Sequence, residues 1–391
     1  MSWNTLELGS SLEALIDNRG KNPPYADDGI PTVSGMTVGA GVLNLASARC
    51  VSYETWQQWM PEPTKRNDVV LTSEAPLGRA ALVPTDSPLV LAQRVFGLRG
   101  KPGILDSRFL YYAFQTVAVQ ADLQGRATGT TVLGIRQPAL KKVQIPAPNY
   151  AEQQAIAEVL GALDDKIAAN TELAATADEF LAAQLSVLLD SAFEEVRLGD
   201  IAEVNAETVK PTSGGYLRYI DIASVGIGAH DYPELMPWED APSRARRRVH
   251  QGDTIWSTVR PNRRSHSLNL SEDSLIVGST GLAVISPRRV GFAYLYEVTK
   301  RPEFTAYLEN VAEGSAYPAV RSDRFADASV PYLPKPRLEE FEALAAPIRQ
   351  QMYSLTVENR TLASTRDALL PQLMSGKLQI KDAEILISTA L

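Results

Sequence analysis

Cysteine is nearly absent from this 391-residue sequence: Cys50 stands alone, so no disulfide can form within the chain and a reducing compartment is expected. Histidine is scarce too, and His230, His250 and His266 with one cysteine give no metal-ligand spacing. No apolar run approaches membrane-spanning length. The opening MSWNTLELGSSLEAL has neither a basic start nor an apolar stretch, so a soluble, cytoplasmic protein without a membrane partner is expected. There is no nucleophile elbow and no phosphate-binding loop. No metal or cofactor site is expected from these residues.

What the sequence does have is acid, unevenly placed. The net charge is −8, yet residues 149–190 hold one Lys/Arg against eight Asp/Glu, while 1–148 hold 14 against 12 and 196–336 hold 17 against 17. The globular parts can therefore still present basic faces to nucleic acid.

The acidic stretch is also the most regular one. Heptads counted from Ile156 place Ile156, Leu163, Asn170, Ala177 and Gln184 at one seam position and Val159, Lys166, Leu173, Phe180 and Val187 at the other, with Ile167 filling in beside the lysine. Asn149 followed by Glu152 is a capping box that marks the start. A helix of 42 residues spans roughly 60 Å at about 1.5 Å per residue, and one apolar seam needs a partner helix. A shift of 189 residues finds it, placing Asn359, Leu362 and Leu370 on Asn170, Leu173 and Leu181. The second helix is predicted over Leu338 to Ser375, with a kink or restart at Pro347. Antiparallel packing across a pseudo-dyad would give Asn170 and Asn359 the task of fixing register.

The regions before each helix also repeat, at a shift of 185 residues. Asn67-Asp68-Val69-Val70 meets Gly252-Asp253-Thr254-Ile255, Pro76 and Arg79 meet Pro261 and Arg264, Gly129-Thr130 meets Gly314-Ser315, and Ile135-Arg136 meets Val320-Arg321. A repeat of this size means duplicated domains. Strands are expected at 69–72, 81–83 and 89–98, with DTIWSTV and SLIVGSTGLAVIS as counterparts. One helix is expected over SRFLYYAFQTVAVQADL and one over FAYLYEVTKRPEFTAYLENV. The fold class is α/β (α+β): mixed globule, long helix, mixed globule, long helix.

Basic residues cluster on the expected loops. Arg244, Arg246, Arg247 and Arg248 share one short loop, and Arg260, Asn262, Arg263 and Arg264 follow the next strand. Lys65, Arg66, Arg79 and Arg94 occupy the matching territory in the first half, and Arg136 and Arg321 close both sets. Arginine forks grip phosphates or read guanine edges, and Thr130 and Ser315 after their glycines can donate to phosphate. Two similar readers in one chain suit a bipartite DNA site, although a solvated charged face or a protein-binding scaffold would use the same residue types.

Two motifs read otherwise. Asn22-Pro23-Pro24-Tyr25 matches the loop that holds the target amine in amino-methyltransferases, but a polar turn precedes it and no glycine-rich donor loop stands near, so a rigid turn is expected. Asp164-Asp165-Lys166 fits a loose nuclease pattern and reads as solvated charge.

The two globules, the two long helices, Glu152-Gln153-Gln154, the Asn170-Thr171-Glu172-Leu173 segment, the Arg19-Gly20-Lys21 turn and the ending Arg366 to Lys377 together resemble the specificity subunit of type I restriction-modification systems. That resemblance implies target-recognition domains over 1–148 and 191–336, spacer helices over 149–190 and 337–380, and a tail over 381–391. It implies a non-catalytic subunit that binds double-stranded DNA. It implies further that two methyltransferase subunits dock on the helix pair, and that restriction/translocase subunits join them.

Overall fold

The protein is described from a computed structural model that covers residues 3–18, 20, 22–39, 41–46, 48–190, 193–314 and 317–388. Arg19, Lys21 and Ser315 lie outside the described residues. The chain divides into two compact units, one of residues 1–168 with 359–391 and one of 169–358. No helix among the described residues is long and apolar enough to cross a membrane.

In the first unit the strands Leu12–Ile16, Val95–Gly100, Val69–Thr72 and Ala80–Leu82 form an antiparallel sheet in that order. The second unit repeats it with Ala202–Val204, Leu282–Pro287, Thr254–Ser257 and His266–Leu268. Register repeats as well: Val69 lies opposite Leu98, and Thr254 opposite Ile285. A smaller sheet flanks each core sheet and contains one parallel pair, Thr32 with Val90 in the first unit and Arg218 with Ile276 in the second. Each globule is closed by a clasp of its first and last strands. Asn4–Glu7 pairs with Gln144–Ala147, and Glu194–Arg197 pairs with Ser329–Tyr332.

The fully buried run Val69-Val70-Leu71-Thr72 can be a strand only if both faces are covered. One cover is helical. Leu71, Phe96 and Leu98 share a core with Phe109, Leu163, Leu362 and Leu373, and Trp256 and Ile285 share one with Leu181, Leu185, Leu338 and Phe341. Each such side chain contributes about 1.5–3 kcal/mol on burial, so each sheet and its helix segments stand or fall together.

The long helices run Tyr150–Leu189 and Lys335–Leu373. The backbone N–H of Glu152 donates to Asn149 Oδ1 at 3.0 Å, which is the predicted cap. The second helix continues across Pro347 rather than restarting. A proline removes one ladder bond. The ring lies on the exposed face, while Phe341, Ala345, Arg349 and Leu355 hold the buried side on both flanks.

The seam of the first helix differs from the expected one at its second position. Leu173, Phe180 and Val187 are exposed at 56%, 43% and 66%, whereas Leu160 and Leu181 are fully buried and Ile167, Ala174 and Leu188 half-buried. The helix period of 3.6 residues brings positions three and four apart onto one face, and here the covered stripe is the one four residues on. Three other expected elements are broken. The run 89–98 splits into Val90–Leu91 and Val95–Gly100 because Arg94 turns left-handed at φ 64°. Each predicted short helix is two: Ser107–Ala113 and Val117–Gly125, the latter capped by Thr116, and Phe292–Thr299 and Pro302–Val311, the latter opened by its proline.

Candidate nucleic-acid interface

In each unit three segments meet at one end of the core sheet. In the first unit these are the loop 73–79 after Val69–Thr72, the turn at Gln93-Arg94 before Val95–Gly100, and the loop 127–135. Bridges join Glu74 to Gly134 and Thr128 to Gly134. They surround an open cavity of about 720 Å³ lined by Ser73, Gln93, Arg94, Gly129 and Arg136. The second unit repeats the frame, with bridges joining Val259 to Ala319 and Glu313 to Ala319.

The predicted site residues fall into three groups. Arg79, Arg94, Thr130 and Arg136 gather at this end of the first unit, all exposed. Arg260, Asn262, Arg263 and Arg321 gather at the matching end of the second, with Arg244 beside them, because its carbonyl accepts from Thr280 N at 2.8 Å. Lys65 and Arg66 stand elsewhere: they precede Val69–Thr72, at the opposite end of that strand from Arg79. Lys65 pairs there with Glu13 at 3.7 Å.

Two expectations about the arginines are corrected. Arg246, Arg247 and Arg248 lie in the strand Ala245–Arg248, not in a loop, and Arg248 Nη1 donates back to Ser274 O at 2.7 Å. The strand gains its place by pairing with Ile276–Ser279, which the charge run conceals. Arg264 turns inward, donating to Lys300 O at 3.3 Å.

The outward cations at the two ends are lightly held. Arg94 pairs with Glu74 at 3.0 Å and Arg321 with Asp323 at 3.0 Å, all four side chains 40% exposed or more. Exposed pairs of this kind are worth about 0–1 kcal/mol, so an incoming phosphate can replace either carboxylate at small cost. Sequence reasoning missed the aromatic and aliphatic part of this surface: Tyr317 is 70% exposed, Val132 51% and Leu133 49%.

The two distracting motifs resolve locally. Tyr25 Oη donates to Asn22 Oδ1 at 3.3 Å and its ring lies 3.2 Å from the Arg49 guanidinium carbon, so the Asn-Pro-Pro-Tyr segment is folded on itself as a turn. Asp164 is not solvated charge. It accepts from Tyr112 Oη at 2.7 Å and pairs with Arg366 at 2.6 Å, because Arg366 occupies the seam of the second helix. Asp165, 77% exposed, is as expected.

Within the helices, Asn170 Nδ2 donates to Glu358 Oε2 at 2.8 Å in the second unit, and Asn359 Nδ2 donates to Ile167 O at 3.4 Å in the first. Each asparagine thus ties its helix to the other long helix.

Comparison with known proteins agrees with this organisation. Residues 61–177 match the type I restriction modification DNA specificity domain. The type I restriction enzyme MjaIX specificity subunit of Methanocaldococcus jannaschii is 23% identical over 347 residues, 81% of this chain and 79% of that protein. The MjaVIII specificity subunit of the same organism is 25% identical over 170 residues, covering 42% of this chain and 40% of its own length. The crystal structure of the type I restriction-modification S subunit from M. genitalium shares the fold at a TM-score of 0.61 and 18% identity, over 95% of this chain and 96% of that one. Over most of its length the chain is similar to specificity subunits of type I restriction-modification systems, and its residues 61–177 match their DNA specificity domain.

Proposed function

We propose that this chain is the non-catalytic DNA-reading subunit of a type I restriction-modification complex, each unit contacting one half of a bipartite duplex site. The observation that carries this reading is the duplicated sheet-end frame, which presents Arg94 and Arg136 in one unit and Arg260, Asn262 and Arg263 in the other on the same scaffold. Duplicated frames with different side chains suit an asymmetric site read in two parts. Methyltransferase subunits dock on the paired helices, where the exposed stripe Leu173, Phe180 and Val187 offers an apolar surface, and restriction subunits join that assembly. Methyl donor, metal and nucleotide belong to those partners.

Methylome sequencing of the host with and without this chain tests the reading. One asymmetric bipartite motif disappears with the chain if it is right. An unchanged methylome, or DNA binding insensitive to salt between about 50 and 200 mM, refutes it, because phosphate contacts make affinity fall steeply with salt.

A further inference from the structure

Both units place a left-handed residue before a proline at the same point of the frame: Ala75, φ 50°, before Pro76, and Arg260, φ 53°, before Pro261. A residue with a side chain is disfavoured in that conformation, and such strain persists where the surroundings enforce it. The enforcement is visible in the second unit, where Arg260 N donates to Pro318 O at 2.7 Å across the frame.

On this shared backbone the two tips carry different chemistry. The Arg260 guanidinium carbon lies 4.6 Å from the Tyr317 ring centroid, and Tyr317 is 70% exposed. Among the described residues no carboxylate pairs with Arg260. In the first unit Ala75 and Val132 stand at the equivalent places, and one guanidinium of that surface, Arg94, is held by Glu74 at 3.0 Å.

We infer that Arg260, stacked on Tyr317, is a specificity-determining residue that reads a guanine in the half-site of the second unit. The inference rests on the DNA-reading role proposed above. A guanidinium fork matches guanine O6 and N7, and stacking on an aromatic face restricts its rotamers before DNA arrives, so less freedom is lost on binding. A lysine keeps the charge but offers neither the fork nor the planar stack. The first unit, with Ala75 and Val132 instead, serves as the internal control.

The test uses the full chain co-expressed with its partner subunits, with competition binding to duplexes carrying each base pair of the recognised motif replaced in turn. The wild-type complex should prefer guanine at one position of one half-site by about 10- to 100-fold, the factor expected of a bidentate contact. Arg260→Ala and Arg260→Lys should both lose that preference and no other, and Tyr317→Leu should weaken it. Retention of the guanine preference by Arg260→Ala shows that another group reads the base, and an equal loss of affinity by Arg260→Ala for every sequence with a shallower salt slope identifies a phosphate contact; either result overturns the inference. Failure of the wild-type complex to select any sequence overturns the underlying DNA-reading proposal and this inference together.

Discussion

Arg99 grips Asp68 through two hydrogen bonds of 2.8 Å, in a pocket where the arginine side chain is 8% exposed and the aspartate 2%. The duplicated aspartate, Asp253, has no such partner, since Ser286 stands where register would place the arginine. Burial accordingly pushes the Asp253 carboxyl above its ordinary range. Removing one member of a buried pair strands the other charge at about 3–5 kcal/mol. Arg99→Met should therefore destabilise the first unit by that amount, whereas Asp253→Asn in the second should cost under about 1 kcal/mol. Urea denaturation of the two variants checks the contrast, and equal losses would refute it.

His266 governs an acid sensitivity of the second unit. Its ring stacks on Trp256 at 4.8 Å, it is 2% exposed, and neither ring nitrogen has a hydrogen-bond partner among the described residues. Burial, with Arg264, Lys300 and Arg349 nearby and Asp178 opposing them, pushes its pKa from 6.5 down to about 4. The unfolded chain binds the proton more readily between those values, so stability present above pH 6.5 is lost as pH falls toward 4, by on the order of 3 kcal/mol. His266→Gln should flatten that part of the profile. Superimposable profiles for wild type and variant between pH 7 and 4 would contradict this.

Phe180 and Val187, apolar and exposed on the first long helix, should matter for assembly and not for folding. Substituting both by serine is expected to leave thermal stability within about 0.5 kcal/mol, as surface changes usually do. Co-purification of methyltransferase subunits should fall at least tenfold, while DNA binding by the chain persists. Full recovery of those subunits with the double variant would place their docking surface elsewhere.

Asn170→Leu removes the donor that reaches Glu358 and should broaden the assembly states seen by light scattering, since a buried polar contact in a helix seam fixes register. The recognised motif, read by sequencing, should not change. A changed motif with intact assembly would contradict the division of labour between helices and globules.

Much of this architecture is legible in the sequence, because the 185-residue repeat states the core strands twice. The run Val69 to Thr72 and its copy Thr254 to Ser257 agree in place and register. What escaped had weak local signals. The break at Arg94 has no glycine or asparagine to announce its positive φ. Leu173 and Phe180 are as apolar as Leu181 and Leu185, so composition cannot tell which of two adjacent stripes a partner covers. In the strand Ala245–Arg248 three arginines hide the alternation a strand normally displays. Tyr317 lies in a loop without periodicity, where only exposure distinguishes it.

The clasp in which each globule's first strand pairs antiparallel with its last sets Asn4 opposite Ala147 and Glu194 opposite Tyr332. Entry and exit of each globule are therefore neighbours. A globule built this way behaves as a cassette: it can be swapped for one with a different tip, with only two adjacent splice points to join, so long as the newcomer keeps the apolar face that packs on the helices.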